Sequence, residues 1–153
     1  MSFGKRILAT IIASASVVSA LSLSVFAYGG DNNIGYSFTV PAWQNWGYTS
    51  AEYRGTKSNE VVPWKVNFTY SAEGTNSLMQ YFLLADGWDY TKLSDYKDVN
   101  EGSGPKYFHA YDTACERYVR LGARNNNNNN HAYTVSGYWD EETAQHTFSD
   151  YNY

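Results

Sequence analysis

Two tryptophans and a tyrosine lie within six residues of one another in the stretch 41–48, PAWQNWGY. Proline, glycine and amide side chains interrupt this stretch, so it lacks the alternation of a regular strand. Aromatic side chains exposed in a loop can stack on a sugar ring or on a partner protein. The alternative is that the rings fold inward and cap one end of the core. The candidate ligand-binding residues are Trp43, Trp46, Tyr48 and Tyr53.

Two further sets of side chains are of types that catalysis uses. Cys115 follows His109 by six residues, which is the pair needed for a thiol nucleophile and its base. No glycine-rich turn surrounds Cys115, however, and a free cysteine usually behaves as a small buried hydrophobe. Asp140 and Glu142 are close in the chain, whereas a glycosidase holds two carboxylates about 5–10 Å apart across a cleft. We therefore predict no catalytic residue.

Metal ligation has little support in the sequence. The three histidines, His109, His131 and His146, are 22 and 15 residues apart, and a zinc site requires a closer or more regular spacing. Acidic and amide-rich runs such as 86–89 do not match the twelve-residue calcium loop. We predict neither a metal nor a cofactor.

The first 27 residues are typical of a secretory signal peptide. Lys5 and Arg6 precede an uncharged stretch over residues 7–30, and small residues surround Ala27. Five serines dilute the apolar run, which favours a cleaved signal over a membrane anchor. We expect cleavage after Ala27, a secreted protein, and no transmembrane segment in the mature residues 28–153.

The mature chain of 126 residues has the length of one domain. Without Lys5 and Arg6 it keeps nine basic and all 15 acidic residues, for a net charge of about −6. Nucleic acid is therefore an unfavourable partner, because its binding depends on basic residues that neutralise phosphates. Cys115 is the single cysteine, so no intrachain disulfide forms. Export without disulfides favours a Gram-positive secretion route.

Strict alternation of apolar and polar residues recurs along the mature chain. In the clearest strand, 64–70, every second residue from Trp64 to Tyr70 forms the buried face, and Lys65 and the other alternate residues face water. Further strands are predicted at 36–40, 106–111, 117–123, 132–139 and 146–151. The stretch 79–85 is a more continuous apolar run and is predicted to be a strand buried on both faces. Seven short strands separated by turns predict one all-β domain at residues 28–153. Its architecture is a small antiparallel β-sandwich, with a barrel as the second choice.

Six consecutive asparagines occupy positions 125–130, between two predicted strands. Asparagine adopts positive φ and bonds to nearby backbone, so it suits turns. The run is therefore predicted to be the solvated loop of a hairpin. The loop Glu73–Asn76 is predicted to close another hairpin.

Several ordered blocks resemble an uncharacterised family of secreted Gram-positive proteins, domain of unknown function 2712. The blocks are YGGDNNIGYSF (28–38), WKVNFTYS (64–71), KYFHAY (106–111), YVRLGARNNN (118–127) and YTVSGYWDEET (133–143). The resemblance covers most of residues 28–145 and implies no particular activity or site residue. The signal peptide, the asparagine-rich turn and the aromatic strands are similar, as a class, to lactococcin-972-type bacteriocins.

Three functions remain open at the level of sequence. The first is a secreted, non-enzymatic interaction protein, bacteriocin-like or associated with the cell envelope. Its partner would be an envelope component, a polysaccharide or a protein. The second is a carbohydrate-binding module that uses Trp43, Trp46 and Tyr48 as its stacking surface. The third is a secreted hydrolase that uses Asp140 and Glu142, or Cys115 and His109.

Overall fold

Nine β-strands and one short 3₁₀ helix form the part of the chain that the computed structural model describes, residues 32–144 and Ser149. The strands are β1 (Ile34–Val40), β2 (Gly47–Tyr48), β3 (Glu52–Arg54), β4 (Trp64–Ser71), β5 (Leu78–Ala85), β6 (Lys97–Asn100), β7 (Lys106–Phe108), β8 (Arg117–Asn125) and β9 (Tyr133–Asp140). The 3₁₀ helix is Asp112–Ala114. None of the described residues belongs to a helix long and apolar enough to cross a membrane. The predicted signal peptide lies outside the described residues, as does the predicted last strand apart from Ser149.

The strands form two antiparallel sheets. One sheet has four strands in the order β1-β9-β4-β7. In the other, β8 pairs with β5 on one side and with β2 and β3 on the other, and β6 lies beside β5. Within residues 32–144 no strand pairing joins the two sheets, so they do not close into a barrel. The prediction of an antiparallel all-β fold is confirmed, and the second-choice barrel is wrong.

One hydrophobic core receives side chains from both sheets. Tyr36 and Phe68 enter it from the four-stranded sheet, and Tyr81 enters it from the five-stranded sheet. The Phe68 and Tyr81 rings lie 5.5 Å apart, and the Tyr36 hydroxyl donates to the Tyr81 hydroxyl at 2.9 Å. A buried hydroxyl without a partner would cost about 1–3 kcal/mol, so this hydrogen bond satisfies a polar pair inside the core.

Strand β4 departs from the predicted alternation at a bulge. Between Phe68 and Tyr70 the register with β9 shifts by one residue. Tyr70 consequently points outward, with 52% of its surface exposed, and Ser71 is buried. A bulge inserts one residue and so reverses the faces of all later side chains. The prediction that Tyr70 belongs to the buried face is wrong.

Lys65 is buried too, although the alternation of β4 predicts that it faces water. It lies opposite Asp140 of β9, and its Nζ is 3.9 Å from the Asp140 carboxylate. The same Nζ donates to Asn33 Oδ1 at 2.9 Å. The prediction that Lys65 faces water is wrong, because an acidic residue on the neighbouring strand is buried beside it and serves as its partner.

The asparagine run connects the two sheets and does not close a hairpin. Strand β8 before it pairs in the five-stranded sheet, whereas β9 after it pairs with β1 and β4. The loop Glu73–Asn76 likewise connects β4 of one sheet to β5 of the other. Both predicted hairpins are wrong, because alternation along a strand defines its buried face and does not identify its partner.

The two crossover loops are held together by hydrogen bonds. Asn125, the last residue of β8, is buried, and its Nδ2 donates to Glu73 Oε1 at 3.2 Å. Asn127 Nδ2 donates to the same oxygen at 3.3 Å, and the Asn127 backbone N–H donates to Asn125 Oδ1 at 2.7 Å. The first asparagine of the run is therefore part of the structure and is not simply a solvated loop residue.

We expect Asn125→Ala to lower the free energy of unfolding by about 1–3 kcal/mol, because it removes the donor and acceptor that join the crossovers. Asn128→Ala, at an exposed position of the same run, should change it by less than about 0.5 kcal/mol. Urea denaturation followed by tryptophan fluorescence measures both values. Equal midpoints for the two variants would contradict the structural role of Asn125.

Candidate functional site

Strand β8 presents a polar and aromatic row on the outer surface of the five-stranded sheet. Val119, Leu121 and Ala123 belong to the core, and because side chains alternate along a strand, the residues between them face away from it. The outward row is Tyr118, Arg120, Gly122 and Arg124. Two half-buried arginines therefore flank a buried glycine on the outer side of β8.

Gly122 makes room for an aromatic cluster. A Cβ atom at this position would lie 2.6 Å from the Phe82 ring, so a larger residue would displace that ring. Phe82 packs edge-on against Trp46 and Tyr96, with ring centroids 5.2 and 4.9 Å away. These neighbours cover the outer side of β5, and they account for the prediction of burial on both faces of that strand, which is confirmed from Tyr81 to Ala85.

A stacked tyrosine pair lies beside this cluster. Tyr48, which pairs with Gly122 in register, stacks on Tyr90 with ring centroids 4.9 Å apart and planes inclined by 29°. The Tyr48 hydroxyl donates to the Tyr90 hydroxyl at 3.2 Å. The Arg120 guanidinium lies 5.6 Å from the Tyr48 ring and is held by Asp86 at 2.6 and 2.9 Å. The pair is thus positioned by two strands and by the loop that follows β5.

On the other side of the cluster, two cations lie over one ring. The Arg124 guanidinium is 3.6 Å and the Lys92 ammonium is 3.9 Å from the Tyr96 ring centroid. Both distances are within the range of attractive cation–π contacts. Arg124 Nε also donates to Gln80 Oε1 at 2.7 Å, which fixes the direction of its side chain.

A second tyrosine pair of this surface lies at the start of β8. Tyr53 of β3 pairs in register with Tyr118, and their rings meet edge-on at 5.3 Å. Tyr118 is 54% exposed. We call the whole outer surface of the five-stranded sheet the aromatic face. It comprises Trp46, Tyr48, Tyr53, Tyr90, Lys92, Tyr96, Tyr118, Arg120 and Arg124.

Three of the four predicted ligand-binding residues lie on the aromatic face, and Trp43 lies apart from it. Trp46 is half-buried against Phe82, whereas Trp43 is 61% exposed and makes no ring contact within the described residues. Trp43 and Gln44 both have positive φ, 62° and 57°. Such a conformation is uncommon for these residues and needs support from surrounding structure.

The asparagine crossover supplies that support. The Trp43 backbone N–H donates to the Asn129 carbonyl at 2.8 Å, and Gln44 Nε2 donates to the Asn126 carbonyl at 3.0 Å. Because both acceptors are backbone atoms, the path of the run matters here more than its side chains. The run thus holds the exposed Trp43 in place.

Residues of the aromatic face that sequence reasoning missed come from two sources. Arg120 and Arg124 were visible as the polar half of an alternating strand, but nothing in that alternation indicates that aromatic rings lie beside them. Tyr90, Lys92 and Tyr96 belong to the irregular segment between β5 and β6, which carries no periodic signal. Only the path of that segment over the sheet places them next to Tyr48 and Phe82.

The outer surface of the four-stranded sheet differs in kind. Residues that alternate with its core positions are mostly small and hydroxylated: Ser37, Thr39, Thr134 and Ser136. Tyr138 lies on this surface and is 48% exposed. Tyr138 is therefore a matched control position, an exposed tyrosine on the outer surface of the other sheet.

The acidic residues after β9 lie in a buried polar cluster. Glu142 Oε2 accepts hydrogen bonds from the backbone N–H and hydroxyl of Thr56, both at 2.7 Å. Buried Arg54 donates to the backbone carbonyls of Glu141 and Val62. Burial raises the pKa of Asp140 to about 8 and that of Glu141 to about 7. These groups join the end of β9 to β3 and the segment after it.

Cys115 and His109 line the same small pocket of about 90 Å³, together with Arg54 and Glu60. Burial raises the pKa of the Cys115 thiol, and the nearby Arg54 charge only opposes this. The thiolate is the nucleophilic form of cysteine, so a raised pKa lowers its reactivity at neutral pH. The pocket brings the two residues together without activating the thiol.

No group of three or more histidine, cysteine, aspartate or glutamate side chains in the described part of the chain is arranged to hold a metal ion.

Comparison with known proteins identifies a family but no activity. The sequence profile of a family described as protein of unknown function (DUF2712) matches residues 23–143. No curated protein and no solved structure matches the chain. Because the family match spans well over half of its length, the chain belongs to the DUF2712 family.

Proposed function

We propose that this chain is an exported, non-enzymatic binding protein of the cell envelope, which binds a polysaccharide on its aromatic face. The observation that carries the proposal is the Tyr48–Tyr90 stack beside Trp46, at a surface that also presents Arg120 and Arg124. Aromatic rings bind the apolar faces of sugars, while hydroxyl and guanidinium groups bind their hydroxyls. The Trp46 ring is supported by the buried Phe82 ring.

The N-terminal sequence supports export. Lys5 and Arg6, the uncharged stretch over residues 7–30 and Ala27 have the pattern of a cleaved signal peptide. Cleavage after Ala27 would release the mature domain outside the cell membrane, on the side of the envelope polysaccharides.

The contacts of the acidic and sulfhydryl groups support a role without catalysis. A general acid or base must reach a proton of the substrate. Glu142 is instead occupied by Thr56, and Asp140 is fully buried beside Lys65. The Cys115 thiol stays protonated at neutral pH because burial raises its pKa.

We expect Tyr48→Ala to weaken binding to an envelope polysaccharide about 5–30-fold, because the variant removes one ring of the exposed stack. Cosedimentation with purified Gram-positive walls, chitin and cellulose measures the affinity. Tyr138→Ala, on the opposite outer surface, should bind like the wild type. Equal loss in both variants, or no wild-type binding to any of the three at micromolar concentration, would refute the proposal.

A growth-inhibition assay on Gram-positive cells extends this test. The class likeness to lactococcin-972-type bacteriocins predicts inhibition that Tyr48→Ala weakens and Tyr138→Ala does not.

A further inference from the structure

Lys92 and Arg124 are two like charges gathered at one ring. Both lie within 4 Å of the Tyr96 centroid. In the part of the chain that the structure describes, neither pairs with a carboxylate, in contrast to Lys65, which pairs with Asp140, and Arg120, which pairs with Asp86. Two cations that share one ring and have no acidic partner favour an anion from outside the protein.

The Gln80 side chain links Arg124 to the acidic side chain of Asp98. Its Oε1 accepts from Arg124 Nε at 2.7 Å, while its Nε2 donates to Asp98 Oδ1 at 2.8 Å. A neutral amide thus occupies the position in which an acid would neutralise the guanidinium. The terminal nitrogens of Arg124 make no hydrogen bond to a described residue and can form a charge-assisted pair with a ligand.

The net negative charge of the chain contrasts with the two cations at Tyr96. The chain carries a net charge of −4, and its general field repels polyanions. Cations without acidic partners nevertheless occur together on the aromatic face. Such a site selects an anion by local contact and not by attraction to the whole protein.

We propose that Lys92 and Arg124 at Tyr96 form an anion subsite of the aromatic face, and that the ligand is therefore an acidic polysaccharide. The inference rests on the proposed polysaccharide binding and adds that the polysaccharide is negatively charged. The carboxylate or phosphate of the polymer would lie against the two cations, and a neighbouring sugar would lie on the Tyr48–Tyr90 stack. Arg120 lies beside the Tyr48 ring and Arg124 lies beside the Tyr96 ring. The two arginines are about 13 Å apart along β8, a distance that an extended polymer can span.

Matched polymers test the subsite. Binding is measured by isothermal titration with polygalacturonate and with the same polymer methyl-esterified, at low and high salt. We expect the wild type to prefer polygalacturonate. The double variant Lys92→Gln/Arg124→Gln should lose about 10–100-fold in affinity for it, with a weaker salt dependence. Lys57→Gln, at an exposed position away from the aromatic face, is the control, and thermal melting verifies that each variant folds.

Binding is also measured to cell walls that keep their phosphate polymers and to walls stripped of these polymers. This comparison shows whether the anion is a phosphate or a carboxylate. A preference for phosphate-bearing walls that the double variant loses supports the subsite with phosphate as the ligand. Equal binding of the acidic and esterified polymers and of both walls would overturn the subsite while leaving the proposed function intact. Absence of wild-type binding to every polymer and wall would overturn both.

Discussion

Replacement of Arg54 by methionine is expected to lower the free energy of unfolding by about 3–5 kcal/mol. Arg54 is 2% exposed and donates through its two terminal nitrogens to the carbonyls of Glu141 and Val62. Its charge also faces the Glu142 carboxylate. Methionine fills much of the volume but leaves both carbonyls without these donors and Glu142 without its counter-charge, which is why the expected cost exceeds that of a packing defect.

Chemical denaturation of the variant measures this loss directly. Lys57→Met, which removes an exposed cation three residues away, should stay within about 0.5 kcal/mol of the wild type. Adding Glu142→Gln to Arg54→Met should recover part of the stability, because glutamine still accepts from Thr56 but carries no charge. An Arg54→Met protein as stable as the Lys57→Met control would show that the cluster contributes no net stability.

The free energy of unfolding should fall by a few kcal/mol as the pH rises from about 4 to about 8. Burial raises the folded-state pKa of Asp140 to about 8 and of Glu141 to about 7, whereas the same groups in the unfolded chain ionise near pH 4. Between these limits the folded state holds protons that the unfolded state has released. Stability is therefore lost with rising pH, and Asp140, whose pKa is raised more, contributes the larger share of the loss.

Asp140→Asn and Glu141→Gln test the origin of this slope. Each variant removes one titrating group, so its unfolding free energy should depend less steeply on pH between 4 and 8 than that of the wild type. Asp98→Asn, at an exposed position of β6, is the matched control and should leave the slope unchanged. If the wild type gained stability across this range, the two carboxyls would have to be ionised in the folded protein.

The alternation of apolar and polar residues predicted where strands lie but not which strands pair. The run from Tyr36 to Val40 lies where the period of two indicates it, because one buried face imposes that period on a strand. Strand β5 lies where the continuous apolar stretch indicates it, because both of its faces are covered. The same alternation predicted that 125–130 closes a hairpin between neighbouring strands. The run instead crosses between sheets, and no local pattern in β8 or β9 distinguishes these two connections.

The candidate site was predicted only where aromatic residues cluster in the chain. Trp46, Tyr48 and Tyr53 lie on the aromatic face, but Trp43 does not share their ring contacts. Tyr90 and Tyr96 come from a distant segment of the chain: Tyr90 contacts Tyr48, which is 42 positions away.

The amino-acid sequence by itself determined the antiparallel all-β fold, the faces of most strands and the family. These properties follow from composition, from the period of apolar residues and from ordered motifs, all of which are local in the chain. The tertiary structure decided the strand order, the burial of Lys65 and Arg54, and the aromatic face. Each of these depends on which strands pair and on where irregular segments pass over the sheets. Long-range packing and the pairing of buried charges select those arrangements, and no short stretch of sequence contains both partners.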